Sequence, residues 1–96
     1  MPAYWIAHAE VTDPERYGAY ARLATGAIEG HGGRFLARGG RHRQLEGNDR
    51  ARNVLVEFPS LEAAVGCYES AEYQEALKHA KDASVRDLVI VEGVAP

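Results

Sequence analysis

The sequence predicts an α+β fold of the ferredoxin-like type, a four-stranded antiparallel sheet with two helices on one face, in the order β-α-β-β-α-β. Three observations carry this. Four segments alternate with the period of a strand, two intervening stretches repeat apolar residues at helical spacing, and each helical stretch lies between two strand segments. A β-α-β pair joined by a right-handed crossover leaves room for one inserted strand, which interleaves the four strands into one sheet. The chain of 96 residues supports one hydrophobic nucleus and no second, so residues 1–96 are expected to form a single domain.

The first strand spans Ala3 to Val11, with Trp5, Ala7, Ala9 and Val11 on one side and Tyr4, Ile6, His8 and Glu10 on the other. A helix starts next, either with Thr12 and Glu15 as a capping box or with Asp13 as cap and Pro14 in the first turn. Tyr17, Tyr20, Ala21, Ala24, Ala27 and Ile28 form its apolar stripe, and His31-Gly32-Gly33 ends it, because glycine takes the left-handed capping conformation. Arg34 to Arg38 alternates as a second strand, with Phe35 and Ala37 opposed to Arg34, Leu36 and Arg38. Gly39-Gly40 is expected to bulge or bend this strand before it resumes from Arg41 to Glu46.

The turn cluster Glu46-Gly47-Asn48-Asp49-Arg50 returns the chain as a hairpin into a third strand, Asn53 to Phe58. Pro59 stops that strand, and Ser60 caps a helix bearing Leu61, Ala64, Val65 and Tyr68. Ser70 restarts the helix with Tyr73, Ala76, Leu77 and Ala80 as its stripe. The last strand runs from Arg86 to Val94.

The composition narrows the partners. A net charge of −3 and an isoelectric point near 5.8 give no overall attraction to phosphate, so nucleic acid is not expected as a partner. The lone Cys67 has no second thiol for a disulfide or metal site, which suits a reducing cytoplasm. The N-terminus has no basic region before an apolar run, and no stretch approaches the roughly 18 apolar residues that span a bilayer. A soluble, uncleaved cytoplasmic protein without a membrane partner is the expectation. No HxxxH, CxxC or acidic-loop pattern occurs, and the glycine pairs lack the helix and lysine of a phosphate loop, so neither metal nor cofactor is expected.

Adding the four strands together assigns two faces. Trp5, Ala7, Ala9, Phe35, Ala37, Val54, Val56, Phe58, Val89 and Val91 would meet the helices. Tyr4, Ile6, His8, Glu10, Arg34, Leu36, Arg38, Leu55, Glu57, Leu88, Ile90 and Glu92 would form the opposite face. An apolar patch of Ile6, Leu36, Leu55, Leu88 and Ile90 on an open sheet marks an interface. Two copies packed sheet to sheet would cover it and close a barrel-like core.

Tyr4-Trp5-Ile6-Ala7-His8, Thr12-Asp13-Pro14, Gly32-Gly33-Arg34-Phe35-Leu36, Leu45-Glu46-Gly47, Glu57-Phe58-Pro59-Ser60-Leu61-Glu62-Ala63-Ala64, Tyr68-Glu69-Ser70, Glu72-Tyr73-Gln74 and Val91-Glu92-Gly93 together resemble the bacterial family catalogued as domain of unknown function thirteen-thirty. The likeness covers nearly the whole chain and departs at Ala71, where the family often has proline. It implies a ferredoxin-like protomer in a dimeric α/β barrel and a homodimer, and it brings no reaction with it.

Candidate site residues follow from the mixed face. His8 could act as a general base tuned by Glu57 or Glu92, or be a hydrogen-bonded interface residue. Arg34 and Arg38 could hold a carboxylate or enolate by paired hydrogen bonds, or pair with Glu10, Glu57 and Glu92. Tyr4 shares that face and completes the ligand-binding set Arg34, Arg38, Glu57, Glu92 and Tyr4. Three readings of function remain open. The first is a homodimer binding a small, partly apolar, anionic molecule in the barrel pocket. The second is a cofactor-independent monooxygenase or isomerase acting on an enolisable substrate with His8 as base, and the third is a structural dimer without ligand.

Overall fold

The computed structural model describes residues 1–95. Seven elements follow in chain order: β1 (Ala3–Val11), α1 (Pro14–Gly30), β2 (Arg34–Arg38), β3 (Arg52–Phe58), α2 (Leu61–Glu69), α3 (Ala71–Ala80) and β4 (Ser84–Glu92). The strands form one antiparallel sheet in the order β2-β3-β1-β4, with the helices over one face. This is the expected ferredoxin-like arrangement, with the second helical region broken at Ser70.

Local chemistry explains the element ends. Asp13 caps α1, its carboxylate accepting from the Arg16 amide at 3.2 Å with Pro14 in the first turn, so this register prevails over a cap at Thr12. At the other end the Gly33 amide donates to Ile28 at 2.8 Å and the Gly32 amide to Glu29 at 3.1 Å. Gly32 has φ of +87°, which makes this a Schellman stop. Ser60 caps α2 by accepting from the Ala63 amide. Ser70 does double duty: its hydroxyl donates to the Cys67 carbonyl at the end of α2 and accepts from the Tyr73 amide at the start of α3.

The core lies between sheet and helices. Trp5 and Phe58 are buried with ring centres 5.7 Å apart, and Tyr73 meets Trp5 edge-on at 5.0 Å. No polar or charged residue is fully buried among the described residues.

Three expectations are corrected. The region after Gly39 does not resume as a strand; residues 40–51 form an extended loop without ladder pairing. The bulge in β2 falls at Leu36 instead of the glycines, since Phe35 pairs with Val56 and Ala37 with Leu55, leaving Leu36 unmatched. Gly39 ends the strand with φ of +70° and its amide on the Asn53 carbonyl.

The third correction concerns β4, which runs from Ser84 to Glu92 and shows its faces the other way round. Trp5 pairs with Ile90, Ala7 with Leu88 and Ala9 with Arg86, so Arg86, Leu88 and Ile90 face the helices while Val85, Asp87, Val89 and Val91 face away. Leu88 and Ile90 pack on the core, and Val89 is 56% exposed. Residues 88–91 are all apolar, so alternation there could not choose a side.

Candidate functional site

The candidate site is a cleft between the sheet and α1, which leans chiefly on α3. Its floor is Ala7, Ala9 and Val54, and its roof is Tyr17, Tyr20, Ala21 and Ala24. Small side chains on both sides leave a gap where larger ones would interdigitate. The enclosed space is about 30 Å³, opening into a hollow of about 420 Å³ counted out to the mouth. In this state it holds a molecule the size of water, and anything larger must move the side chains at the mouth.

Those side chains are cationic. Arg38, Arg52 and Arg86 line the cleft. The Arg38 guanidinium lies 3.9 Å from the centre of the Phe35 ring and donates to Thr25 Oγ1 at 3.2 Å. Arg86 Nη2 donates to the Tyr20 hydroxyl at 2.8 Å and the Tyr73 hydroxyl at 3.3 Å. The two hydroxyls are themselves 2.6 Å apart. Burial pushes the Tyr20 hydroxyl far above its ordinary range, the neighbouring Tyr73 adding to the effect, and burial raises Tyr73 as well. Both phenols therefore stay protonated. Among the described residues no carboxylate pairs with any of these three arginines.

The charge is also unevenly spread. Six of the 11 Lys and Arg residues fall between Arg34 and Arg52, alongside only Glu46 and Asp49.

The structure distributes the sequence-predicted residues over several places. Arg34, Glu57 and Tyr4 come together on the face away from the helices, Arg34 donating to Glu57 at 3.0 Å and the Tyr4 hydroxyl to the same carboxylate at 3.4 Å. His8 is four residues along β1 from Tyr4, roughly 13 Å away in an extended strand. It pairs with Asn53 and Asp87 across the ladders instead of Glu57 or Glu92, and its Nδ1 bonds Asn53 Oδ1. His8 lines a separate hollow with Gln44, Asn48, Arg50 and Asp87.

Glu92 pairs with Ala3, which puts it out of register with His8 on the other face. Arg38 pairs with Val54 on the helix side, because the bulge at Leu36 reverses the alternation after it. Arg52, Arg86, Tyr20 and Tyr73 were not singled out as site residues from the sequence. Arg86 lies on the same side of β4 as Leu88 and Ile90, and an arginine in line with two large apolar residues at strand spacing is the signal that could have found it.

The remaining titratable groups offer little chemistry. Burial pushes the Cys67 thiol up to about 11, and its Sγ lies 3.7 Å from the Ala27 carbonyl oxygen. Among the described residues no cluster of three or more His, Cys, Asp or Glu is placed to hold a metal ion, and no helix is long and apolar enough to cross a membrane.

Fold and site together describe a ferredoxin-like α+β protein with an arginine-lined cleft between its layers. The chain belongs to the family described as domain of unknown function DUF1330, whose pattern matches residues 2–94. No curated protein matches it. Among solved structures it is similar to the RPA0582 protein of unknown function from Rhodopseudomonas palustris, with a TM-score of 0.78 and 24% identity over 99% of this chain and 84% of that one. It is also similar to SnoaB, a cofactor-independent oxygenase from Streptomyces nogalater, with a TM-score of 0.64 and 10% identity over 99% and 95% of the two chains. A dimeric protein of unknown function and ferredoxin-like fold from Bacteroides fragilis matches with a TM-score of 0.57 and 16% identity over 96% of each chain. Likeness at these identities establishes the shared fold.

Proposed function

We propose that the protein is a homodimer that binds a small, partly apolar anion in the cleft between the sheet and α1. The observation that carries the reading is the set Arg38, Arg52 and Arg86, three guanidinium groups beside an apolar slot with no carboxylate paired to them among the described residues. Arg52 and Arg86 are partly buried, and partly desolvated cations need counter-charges, which a bound anion supplies. The dimer reading rests on the other face, where Ile6, Leu55, Val85, Val89 and Val91 form an apolar surface on an uncovered sheet. The dimeric Bacteroides fragilis neighbour supports self-association.

An oxygenase or isomerase using His8 as base draws support from the SnoaB likeness, but His8 lies on the opposite sheet face from the cleft. The binding reading therefore fits the geometry better. A thermal-shift screen of aromatic and keto acids tests it. Acids should raise the melting temperature of wild type and have a smaller effect on Arg38→Ala. If none stabilises wild type, or all stabilise the variant equally, the cleft is not the site.

A further inference from the structure

The sheet register lines up Arg52, Ala9 and Arg86 in one row across β3, β1 and β4, on the side facing α1. The two arginine backbones stand two strand spacings apart, about 10 Å. Between them Ala9, 2% exposed, contributes only a methyl group. Both guanidinium groups lean toward the roof, Arg52 5.7 Å from the centre of the Tyr17 ring and Arg86 4.7 Å from that of Tyr20.

The hydrogen-bond ledger of this row does not close. The Nε–H of Arg52 and the Nε–H of Arg86 are shielded from solvent and have no acceptor. Arg86 spends Nη2 on the two tyrosine hydroxyls. A single proton serves the bond between those hydroxyls, so the second phenolic proton is unspent. The row and its roof thus hold several unused donors and no acid.

We infer that the space above Ala9, between Arg52 and Arg86, is a carboxylate subsite and that the cleft takes a small monocarboxylic acid. This rests on the reading of the cleft as an anion site. Two oxygens in one plane can accept from the two flanking arginines. A phosphate brings further oxygens and more charge into a lining that beyond the row is mostly apolar, at the cost of leaving polar atoms unpaired. Beyond the row the lining turns to Ala7, Val54, Phe35 and Ile28, so the remainder of the acid is uncharged and apolar, and Arg38 closes the mouth over it.

Titration of the protein with benzoate, benzamide and inorganic phosphate, followed by alanine-methyl NMR, tests the assignment. Benzoate should shift the Ala9 methyl saturably, benzamide should not, and phosphate should bind at least tenfold more weakly. Ala9→Val fills the subsite without removing a charge and should weaken benzoate at least tenfold. Arg52→Gln, at a partly exposed position, should do the same and keeps the test open should Ala9→Val fail to fold. Undiminished benzoate binding in either folded variant, with loss in Arg38→Ala, overturns the subsite and leaves the anion cleft standing. Equal binding of benzamide or phosphate overturns the carboxylate assignment. Absence of binding by all three probes removes both the subsite and the anion cleft.

Discussion

Arg34 and Arg38 lie on the same short strand and serve opposite faces of the sheet, because the unmatched Leu36 between them reverses the alternation. Arg34 is held by Glu57 on the open face, whereas Arg38 reaches Thr25 of α1 on the helix side. The bulge is thus what brings Arg38 to the cleft.

The two arginines should separate cleanly in a binding assay. Arg38→Ala removes a cation at the mouth and should weaken benzoate by roughly tenfold, the order expected for about 1.5 kcal/mol of charged hydrogen bonding. Arg34→Ala and His8→Ala should leave the affinity within about twofold, since both face away from the cleft. Isothermal titration calorimetry reads all three; a large effect of His8→Ala would return that histidine to the site.

Val89 lies near the middle of the open apolar face. Val89→Glu should convert a dimer to a monomer in sedimentation equilibrium, because it places a carboxylate where two sheets would meet. For wild type the melting temperature should rise with protein concentration, as it does when association stabilises the folded state. A concentration-independent melting temperature and a wild-type monomer would contradict the dimer.

The tyrosine pair sets an alkaline limit on stability. Burial raises the Tyr20 and Tyr73 hydroxyls above the ordinary tyrosine value of about 10, so between that value and the folded-state value the unfolded chain releases protons that the folded chain keeps. Stability contributed by the neutral pair is therefore complete below about pH 10 and falls as pH rises beyond it. Urea midpoints measured from pH 8 to 11 should decline more steeply for wild type than for the Tyr20→Phe, Tyr73→Phe double variant. Parallel profiles would show that the pair is not the cause.

Gly33 admits no side chain. A methyl group there would come within 2.5 Å of Ile28 Cγ2 and 2.9 Å of both the Ile28 carbonyl oxygen and Phe58 Cζ. Gly33→Ala should cost about 1–3 kcal/mol by overpacking, read as a lower urea midpoint with an unchanged m-value. Gly26→Ala, with nothing within 4 Å of the added carbon, is the matching control and should be neutral or slightly stabilising.

The fold was legible because its signals are local. The Gly32-Gly33 stop, the Ser60 and Ser70 caps and the alternation of Trp5, Ala7 and Ala9 each announce themselves within a few residues. The site was not, for two physical reasons. A bulge is a pairing event, and nothing in Arg34-Phe35-Leu36-Ala37-Arg38 says which residue goes unmatched. In β4 the run Leu88-Val89-Ile90-Val91 is apolar on both sides, so its orientation is decided by the ladder with β1. The bulge moved Arg38 to the helix side, and the ladder with β1 placed Arg86 there too, and with them the candidate pocket.

The crowding of cations between Arg34 and Arg52 has a kinetic consequence. Of these six cations Arg38 and Arg52 line the cleft, where with Arg86 they make a local positive potential in a chain that is acidic overall, so an approaching small anion is drawn toward the cleft. Its association rate should fall steeply as salt shortens the Debye length from about 30 Å at 0.01 M to about 10 Å at 0.1 M. The dissociation rate, governed by contacts inside the cleft, should hardly change. An acidic protein is in this way fitted to collect acids.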